Sequence, residues 1–293
     1  PYSLDSKIIK ELNVQTEKLA KALELVGLMN VQFAVKDKKI YLIEVNPRAS
    51  RTVPFVAKAT DSAIASIAAR IMAGETLDNF DKRGSYGSVS YNETIPLADP
   101  MSLANPMLPW FSVKEAVMPF ARFPGVDTIL GPEMRSTGEV MGWDRDFGRA
   151  FLKAQIGAGM KLPIKGCVFF SIKDKDKNDN LAETAQRLIK LGFNITATRG
   201  TAAFLEERNI PCKQINKVYE GRPNIVDTMK NGEIDLVMNT TEGAQAVKDS
   251  REIRSVALYD KIPYFTTAAA AHAAALAIQS QTEGEIEVKS LQN

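Results

Sequence analysis

Apolar and polar positions at the start of the chain predict an amphipathic helix followed by a β-hairpin. Apolar side chains recur at helical spacing between residues 4 and 26, and Gly27 ends this pattern. Residues 29–35 and 40–46 then form two strand-like runs that are separated by a polar turn at 36–39. The first elements of the chain are therefore predicted to be one helix and one antiparallel pair of strands.

The side chains of the two runs also predict how the strands pair. Pairs whose residue numbers sum to 76 place apolar side chains together on one face: Val31 with Val45, Phe33 with Ile43, and Val35 with Tyr41. The other face then carries polar side chains: Asn30 with Asn46, and Gln32 with Glu44. A slip of one residue would mix the two faces, so this register is the expected one.

Further along, an alanine-rich helix is predicted over residues 61–73, with Gly74 after it. Residues 78–109 are rich in Gly, Ser, Asn and Pro and predict a long loop or insertion. Order returns at 110–117, which is a strand candidate, and continues through 123–127 and 131–142. A helix is expected over about 146–158. This first part is predicted to be an α+β domain with an antiparallel sheet, covering residues 1–160.

Glycines and a proline at 157–163 predict a domain boundary, after which the periodicity changes. Over residues 161–293, short apolar strands alternate with helices, ending in an alanine-rich helix at 267–279. This alternation is typical of an α/β fold with a doubly wound parallel sheet, in which ligands bind at the carboxyl ends of the strands.

Composition narrows the classes of function. A formal net charge of +2 over 293 residues provides no general basic field, so neither nucleic acid nor a membrane surface is expected as a partner. No run of 18 apolar residues exists to span a bilayer. The two cysteines, Cys167 and Cys212, lie far apart in predicted strands, which favours reduced thiols in a cytoplasmic protein over a disulfide.

Candidate chemistry appears first at the end of the hairpin. Glu44 and Asn46 lie two residues apart on one strand and so share a face, to which the predicted pairing adds Gln32. One carboxylate and two amide oxygens suit Mg²⁺, which keeps water and substrate phosphates as its other ligands. Arg48 and Arg51 follow at a spacing that brings two guanidinium groups to one phosphate. The alternative is a surface ion pair between Glu44 and Arg48 with no ligand.

The stretch 43–55, IEVNPRASRTVPF, together with Gln32, resembles the end of the second ATP-grasp domain of carbamoyl-phosphate synthetase large subunits. The resemblance continues through 112–115, 131–142 and the whole C-terminal part, leaving about 78–109 unmatched. It implies that Gln32, Glu44 and Asn46 ligate Mg²⁺ or Mn²⁺ on ATP, and that Arg48 and Arg51 hold the transferring phosphoryl group as catalytic residues.

The same resemblance implies an ATP-dependent ligase that phosphorylates carbamate and serves pyrimidine and arginine biosynthesis. A glutaminase small subunit is the implied partner, and homo-oligomerisation is left open. In the family the glycine-rich lid and the adenine pocket lie before the matched region. These 293 residues are therefore expected to be inactive on their own.

A second set of polar residues follows the predicted strands of the C-terminal part. Thr198 and Thr201 flank a strand end that opens a helix, where free backbone N–H groups bind phosphate. Other strand ends add Asn216, Lys217 and Asn239, and three lysines follow the first strand. Hydroxyls, an amide and lysines at one edge predict a phosphorylated small-molecule ligand. The alternative assigns the threonines to helix capping and the lysines to a solvated loop.

This part resembles the methylglyoxal-synthase-like regulatory domain of the same large subunits. The resemblance implies UMP and IMP as allosteric effectors, bound by the following residues: Ser171, Lys175 or Lys177, Thr198, Thr201, Asn216, Lys217, Asn239 and Thr241. For ornithine as activator it implies Glu115, Tyr264 and Thr266. An acidic residue of the family pattern is replaced by Phe265, which removes a partner for a cationic ligand.

Two other functions fit parts of the pattern. One is a stand-alone nucleotide or phosphate sensor without a catalytic role. The other is a lyase that acts on a triose phosphate, which would need a general acid or base near the phosphate. The single histidine, His272, lies in the alanine-rich helix, where a packing role is expected, and none of the predicted phosphate turns contains a histidine.

Overall fold

The computed structural model describes residues 2–60, 62–80, 110–118, 120, 128–129 and 138–288. They form two compact units that divide between residues 109 and 110. Of the predicted loop or insertion at 78–109, residues 81–109 lie outside the described part. Residues 131–137 of the segment 131–142 lie outside it as well.

The first unit contains the predicted helix and hairpin. Its elements are α1 (Ser6–Ala22), β1 (Asn30–Lys36), β2 (Lys39–Asn46), α2 (Thr52–Thr60) and α3 (Ile64–Met72). Asp5 caps α1, because its Oδ1 accepts a hydrogen bond of 2.9 Å from the Ile8 N–H. Helix α2 was not anticipated from the periodicity, whereas α1, β1, β2 and α3 were.

The predicted register of the hairpin is confirmed at one end and wrong at the other. Asn30 pairs with Asn46 and Gln32 with Glu44, but Phe33 pairs with Leu42, so Ile43 is the extra residue of a bulge. The turn causes this shift. Asp37 and Lys38 both have positive φ, at 51° and 60°, which is the two-residue turn that pairs Lys36 with Lys39.

The second unit begins with β3 (Phe111–Val117), β4 (Gly138–Asp144) and α4 (Phe147–Gly157). Strands β3 and β4 are antiparallel, and α4 packs against both. Gly142 allows the closest approach: a Cβ there would lie 1.9 Å from the carbonyl oxygen of Ala150 and 2.5 Å from the nitrogen of Ala154. The backbones of β4 and α4 therefore touch where Gly142 has no side chain.

The rest of this unit is a five-stranded parallel sheet in the order β7-β6-β5-β8-β9. Its strands are β5 (Gly166–Ser171), β6 (Phe193–Thr198), β7 (Lys213–Ile215), β8 (Leu236–Asn239) and β9 (Tyr264–Phe265). The connecting helices are α5 (Asp179–Lys190), α6 (Arg199–Glu206), α7 (Ile225–Lys230), α8 (Ala244–Asp249), α9 (Arg251–Tyr259) and α10 (Ala268–Thr282).

Helices cover both faces of the sheet. On β5, Phe169 and Phe170 point to opposite faces, and both side chains are 0% exposed. Phe170 belongs to a core with Leu188 of α5, whereas Phe169 belongs to a second core with Ile253 of α9. The predicted doubly wound parallel sheet is confirmed, as is the antiparallel character of the first part.

The compact units do not follow the predicted domain boundary at residue 160. Helix α4 packs against α10, where a Cβ on Gly148 would lie 2.7 Å from the Leu276 carbonyl oxygen. Strands β3 and β4 and helix α4 thus belong to the same compact unit as the parallel sheet. Their assignment to the first domain stays a prediction.

Both cysteines are free thiols, as expected, and burial raises the pKa of each. Among the residues that the structure describes, no helix is long and apolar enough to cross a bilayer.

We expect Gly142→Ala to lower the free energy of unfolding by about 2 kcal/mol, because the new methyl group would overlap backbone atoms of α4 that cannot rotate away. Urea unfolding followed by tryptophan fluorescence measures this directly. The chain has two tryptophans, and Trp110 and Trp143 stack at 3.8 Å beside the substituted position.

Gly138→Ala on the same strand is the matched control. Its Cβ would lie 3.2 Å from Cβ of Val117 at an exposed position, so a change of about 0.5 kcal/mol or less is expected. Equal effects of the two substitutions would contradict the claim that α4 requires glycine at 142.

Candidate functional site

The carboxyl ends of five parallel strands bring the predicted effector residues to one edge of the sheet. The strands end at Ser171, Thr198, Ile215, Asn239 and Phe265. From β5 the chain continues outwards to β6 and β7, whereas β8 and β9 lie on its other side. The reversal between β5 and β8 is a topological switch point, where α/β sheets leave a crevice for ligands.

Two buried threonines line the neighbouring strand end. Thr201 Oγ1 accepts a 3.0 Å hydrogen bond from the Ile172 N–H, and Thr198 Oγ1 donates to it at 3.4 Å. Thr198 is the N-cap residue of α6 by position, but its side chain makes no capping hydrogen bond. The capping role that was the alternative for Thr198 is therefore wrong, and its side chain does not occupy the N–H groups of the first turn of α6.

The lysines after β5 differ sharply in their surroundings. The Lys177 side chain is 14% exposed and its Nζ lies 2.6 Å from Asp174 Oδ1. A Cβ on Gly200 would lie 3.2 Å from the same Nζ, so this ammonium group sits against the first turn of α6. The Lys175 side chain is 75% exposed and forms an ion pair of 2.5 Å with Glu242 Oε1.

The loop after β8 is joined to that after β5 by backbone contacts. The Thr240 N–H donates to the Ser171 carbonyl at 2.9 Å, and Thr240 Oγ1 accepts from the Lys173 N–H at 3.0 Å. Asn239 is 2% exposed, and its Nδ2 donates to the Tyr264 hydroxyl at 2.7 Å. Thr241 follows and is partly exposed.

Asn216 and Lys217 follow β7 at the same edge. Asn216 Nδ2 donates to the Pro223 carbonyl at 3.4 Å, and the Lys217 N–H donates to Glu220 Oε2 at 2.9 Å. The hydrogen bond from Lys177, aided by its charge and that of Lys217, holds the pKa of Asp174 below its usual range. Lys217 and the loop after β5 thus act within one cluster of charges.

The ornithine-type residues come from two parts of the unit: Glu115 lies on β3, and Tyr264 and Thr266 lie in β9 and just after it. Glu115 on β3 accepts a 2.8 Å hydrogen bond from Gln155 of α4, and burial raises the pKa of Glu115. Tyr264 instead bonds to Asn239, and Thr266 is exposed beside it. The Phe265 side chain is 8% exposed and packs near Phe151, so position 265 belongs to the apolar core.

In the first unit, the predicted metal residues meet at the end of the hairpin. Gln32 and Glu44 face each other on neighbouring strands, and Glu44 Oε1 accepts from Asn46 Nδ2 at 2.8 Å. Arg48 donates to Asn46 Oδ1 at 3.2 Å and not to Glu44. The alternative of a direct Glu44–Arg48 ion pair is therefore wrong, although Asn46 links the two residues. Arg51 lies at the start of α2, next to Thr52.

This donor set suits a hard divalent cation that carries other ligands. Gln32 and Glu44 are exposed. The Asn46 amide is oriented by its two hydrogen bonds, since its Nδ2 donates to Glu44 and its Oδ1 accepts from Arg48. Among the described residues, no three or more His, Cys, Asp or Glu side chains are grouped so that they could hold a metal ion. Sparse oxygen ligation of this kind is typical of Mg²⁺ on a nucleotide.

The edge of the sheet that carries the predicted effector residues, the effector edge, also has two acidic residues that the sequence analysis did not single out, Asp174 and Glu242. Each forms an ion pair with a lysine that the sequence analysis did single out. The alternation of Lys and Asp at 173–177 was a local signal for Asp174. Glu242 carried none, because its partner lies 67 residues away in sequence.

Family models match both parts of the chain. Residues 2–80 match the carbamoyl-phosphate synthase L chain ATP-binding domain, and residues 180–266 match the MGS-like domain. These matches lie in the hairpin unit and in the parallel sheet, respectively.

Relatives that align over the whole of this chain are carbamoyl phosphate synthase large chains. The chain is 52% identical over 293 residues to the carbamoyl phosphate synthase large chain of Brucella suis, and 51% identical over 291 residues to that of Mesorhizobium japonicum. These alignments cover 100% and 99% of this chain but 24% of each relative. With both family models and an alignment over its whole length, the chain belongs to the carbamoyl phosphate synthase large-chain family, as a counterpart of the C-terminal portion.

Proposed function

We propose that the parallel-sheet part of this chain is the allosteric domain of a carbamoyl phosphate synthase large chain and binds nucleoside monophosphates such as UMP and IMP. The observation that carries this proposal is the position of the Lys177 ammonium group against the first turn of α6. A lysine at an uncapped helix N-terminus provides both a cation and free N–H donors for a phosphate.

The rest of the nucleotide would lie along the same edge of the sheet. Thr201 and Ser171 are close to the phosphate position, since Thr201 is bonded to the residue that follows Ser171. The polar groups for the ribose and base then come from Asn216, Lys217, Asn239 and Thr241. The buried Thr198 would support Thr201 through the hydrogen bond between their hydroxyl groups. Both lysines left open by the sequence would contact the phosphate: Lys177 lies against the first turn of α6, and Lys175 extends from the same loop toward the loop after β8.

We further propose that the hairpin unit contributes part of the site for Mg²⁺ (or Mn²⁺) and ATP in the whole protein. Gln32, Glu44 and Asn46 would hold the metal, and Arg48 and Arg51 the phosphoryl oxygens of the reacting group. A bound divalent cation supplies charge neutralisation on the phosphates, and the two arginines would orient the transferred group.

The whole protein's activity follows from this assignment. It is the ATP-dependent synthesis of carbamoyl phosphate with a glutaminase small chain as partner, in the cytoplasm, for pyrimidine and arginine biosynthesis. The chain spans 24% of the relatives' length, so the activity is proposed for the complete large chain and not for this part alone.

An ornithine-type effector would use Glu115, Tyr264 and Thr266. The hydrogen bond from Asn239 to Tyr264 links this set to the effector edge, so binding at one could change the other. The apolar Phe265 removes the acidic group of the family pattern, so we propose weak ornithine binding.

The two alternative functions remain distinguishable. His272 Nδ1 lies 3.0 Å from Thr184 Oγ1, which also donates to the Asn180 carbonyl at 2.7 Å. This contact between α10 and α5 favours a packing role over acid–base catalysis, and therefore a regulatory domain over a lyase. A stand-alone sensor would bind nucleotides without changing any synthesis rate.

We expect Lys177→Met to weaken UMP and IMP binding about tenfold to a hundredfold, because a charge-assisted hydrogen bond to the phosphate would be lost. Isothermal titration calorimetry on this chain measures the effect. Lys190→Met, which removes an exposed lysine from the last turn of α5, is the matched control and should leave affinity unchanged.

Lack of UMP and IMP binding by the unsubstituted chain would contradict the allosteric assignment. Methylglyoxal formation from dihydroxyacetone phosphate would instead support the lyase.

In the complete large chain, we expect a substitution equivalent to Glu44→Ala to reduce ATP-dependent carbamoyl phosphate synthesis about a hundredfold or more, since the charged metal ligand would be removed. The assay uses the large and small chains with saturating ATP and Mg²⁺. A thermal unfolding scan checks that the variant is folded.

Glu17→Ala is the matched control for this prediction. Glu17 is an exposed carboxylate on α1 that pairs with Lys21, so its loss should leave the synthesis rate unchanged. Synthesis retained by the Glu44 variant would refute the metal role.

A further inference from the structure

The ion pair between Lys175 and Glu242 joins the loops that follow β5 and β8 at the topological switch point. Ser171 pairs with Asn239 where β5 and β8 end, and the Thr240 backbone and side-chain bonds continue this connection beyond both strands. The loops after β5 and β8 are therefore held edge to edge. From these two loops, Lys175 and Glu242 extend toward each other and meet at 2.5 Å.

Each of the three lysines after β5 is paired with an acid. Lys173 lies 3.6 Å from Asp176, Lys177 lies 2.6 Å from Asp174, and Lys175 pairs with Glu242. Asp174 and Asp176 come from the same loop as the lysines, so they move with them. Glu242 is different because it reaches Lys175 from another loop, the one after β8.

The Lys175–Glu242 pair is weak enough to be exchanged. The two side chains are 75% and 51% exposed, and water screens such pairs strongly. A phosphate dianion offers Lys175 more charge and more acceptor oxygens than one carboxylate does. A phosphorylated ligand could therefore displace the carboxylate at a modest free-energy cost.

We infer that Glu242 is a built-in competitor for the phosphate group, which occupies Lys175 until a nucleoside monophosphate binds and thereby sets the affinity of the site. This inference rests on the proposed function of the parallel-sheet part. Glu242 lowers phosphate affinity in two ways: it withholds Lys175, and it leaves a negative charge beside the incoming phosphate. Neither effect acts on a ligand without a phosphate.

A double-mutant cycle tests the inference with UMP and uridine as probes. Glu242→Gln removes the charge and keeps the shape of the side chain, so UMP should bind about threefold to tenfold more tightly while uridine is unaffected. Lys175→Met should weaken UMP binding more in the Glu242→Gln background than in the unsubstituted chain, because there Lys175 is free to contact the phosphate.

Glu233→Gln is the matched control, since it removes one exposed carboxylate from the loop before β8, at the opposite edge of the sheet. It should leave UMP affinity unchanged. An equal gain in the two glutamine variants would reduce the effect to net charge and overturn the inference. Equal costs of Lys175→Met in both backgrounds would also overturn it.

The two hypotheses fail differently in this experiment. If the unsubstituted chain and all variants bind neither UMP nor uridine, the nucleotide site itself is refuted. If UMP binds the unsubstituted chain and Glu242→Gln does not tighten it, the nucleotide site stands and the competitor role of Glu242 is refuted.

Discussion

The parallel pairing of β5 with both β6 and β8 is the constraint on which the effector edge depends. Because β5 is central, Phe169 and Phe170 are fully buried on opposite faces, and neither face can turn toward water. With the direction of β5 fixed, its neighbours deliver their last residues to the same edge. The sheet therefore brings together polar groups from segments that are far apart in sequence.

The second unit adds a backbone contact to this sheet. Gly142 lets β4 lie directly against α4, and Gly148 lets α4 lie directly against α10. Both contacts require glycine, because any side chain at either position would overlap the neighbouring helix. They attach the antiparallel pair β3 and β4, and with it Glu115, to the parallel-sheet part.

Charge at the effector edge is balanced locally. Lys175 and Lys177 follow the end of β5 by four and six residues, and each has an acidic partner close by. Their partners differ in origin, since Asp174 is local whereas Glu242 comes from the loop after β8. The same lysine-rich loop thus forms ion pairs within itself and one ion pair with the loop after β8.

Much of the site could be predicted from the sequence because its residues follow strands and share a local period. Glu44 and Asn46 lie on one face by the two-residue period of a strand, and Thr198 and Thr201 follow from a strand that opens a helix. Alternating strands and helices were enough to predict the parallel sheet, and hence a common edge for their ends.

The tertiary structure alone decided what depends on distant contacts or on competing local demands. In the β1–β2 hairpin, the pairing set by the two-residue turn and the pairing of the polar residues differ by one position. Ile43 is therefore accommodated as the extra residue of a bulge. Position 265 became part of the core, and Glu242 met a lysine 67 residues away. Periodicity reports which face a side chain occupies, but it holds no information about which distant residue that face will meet.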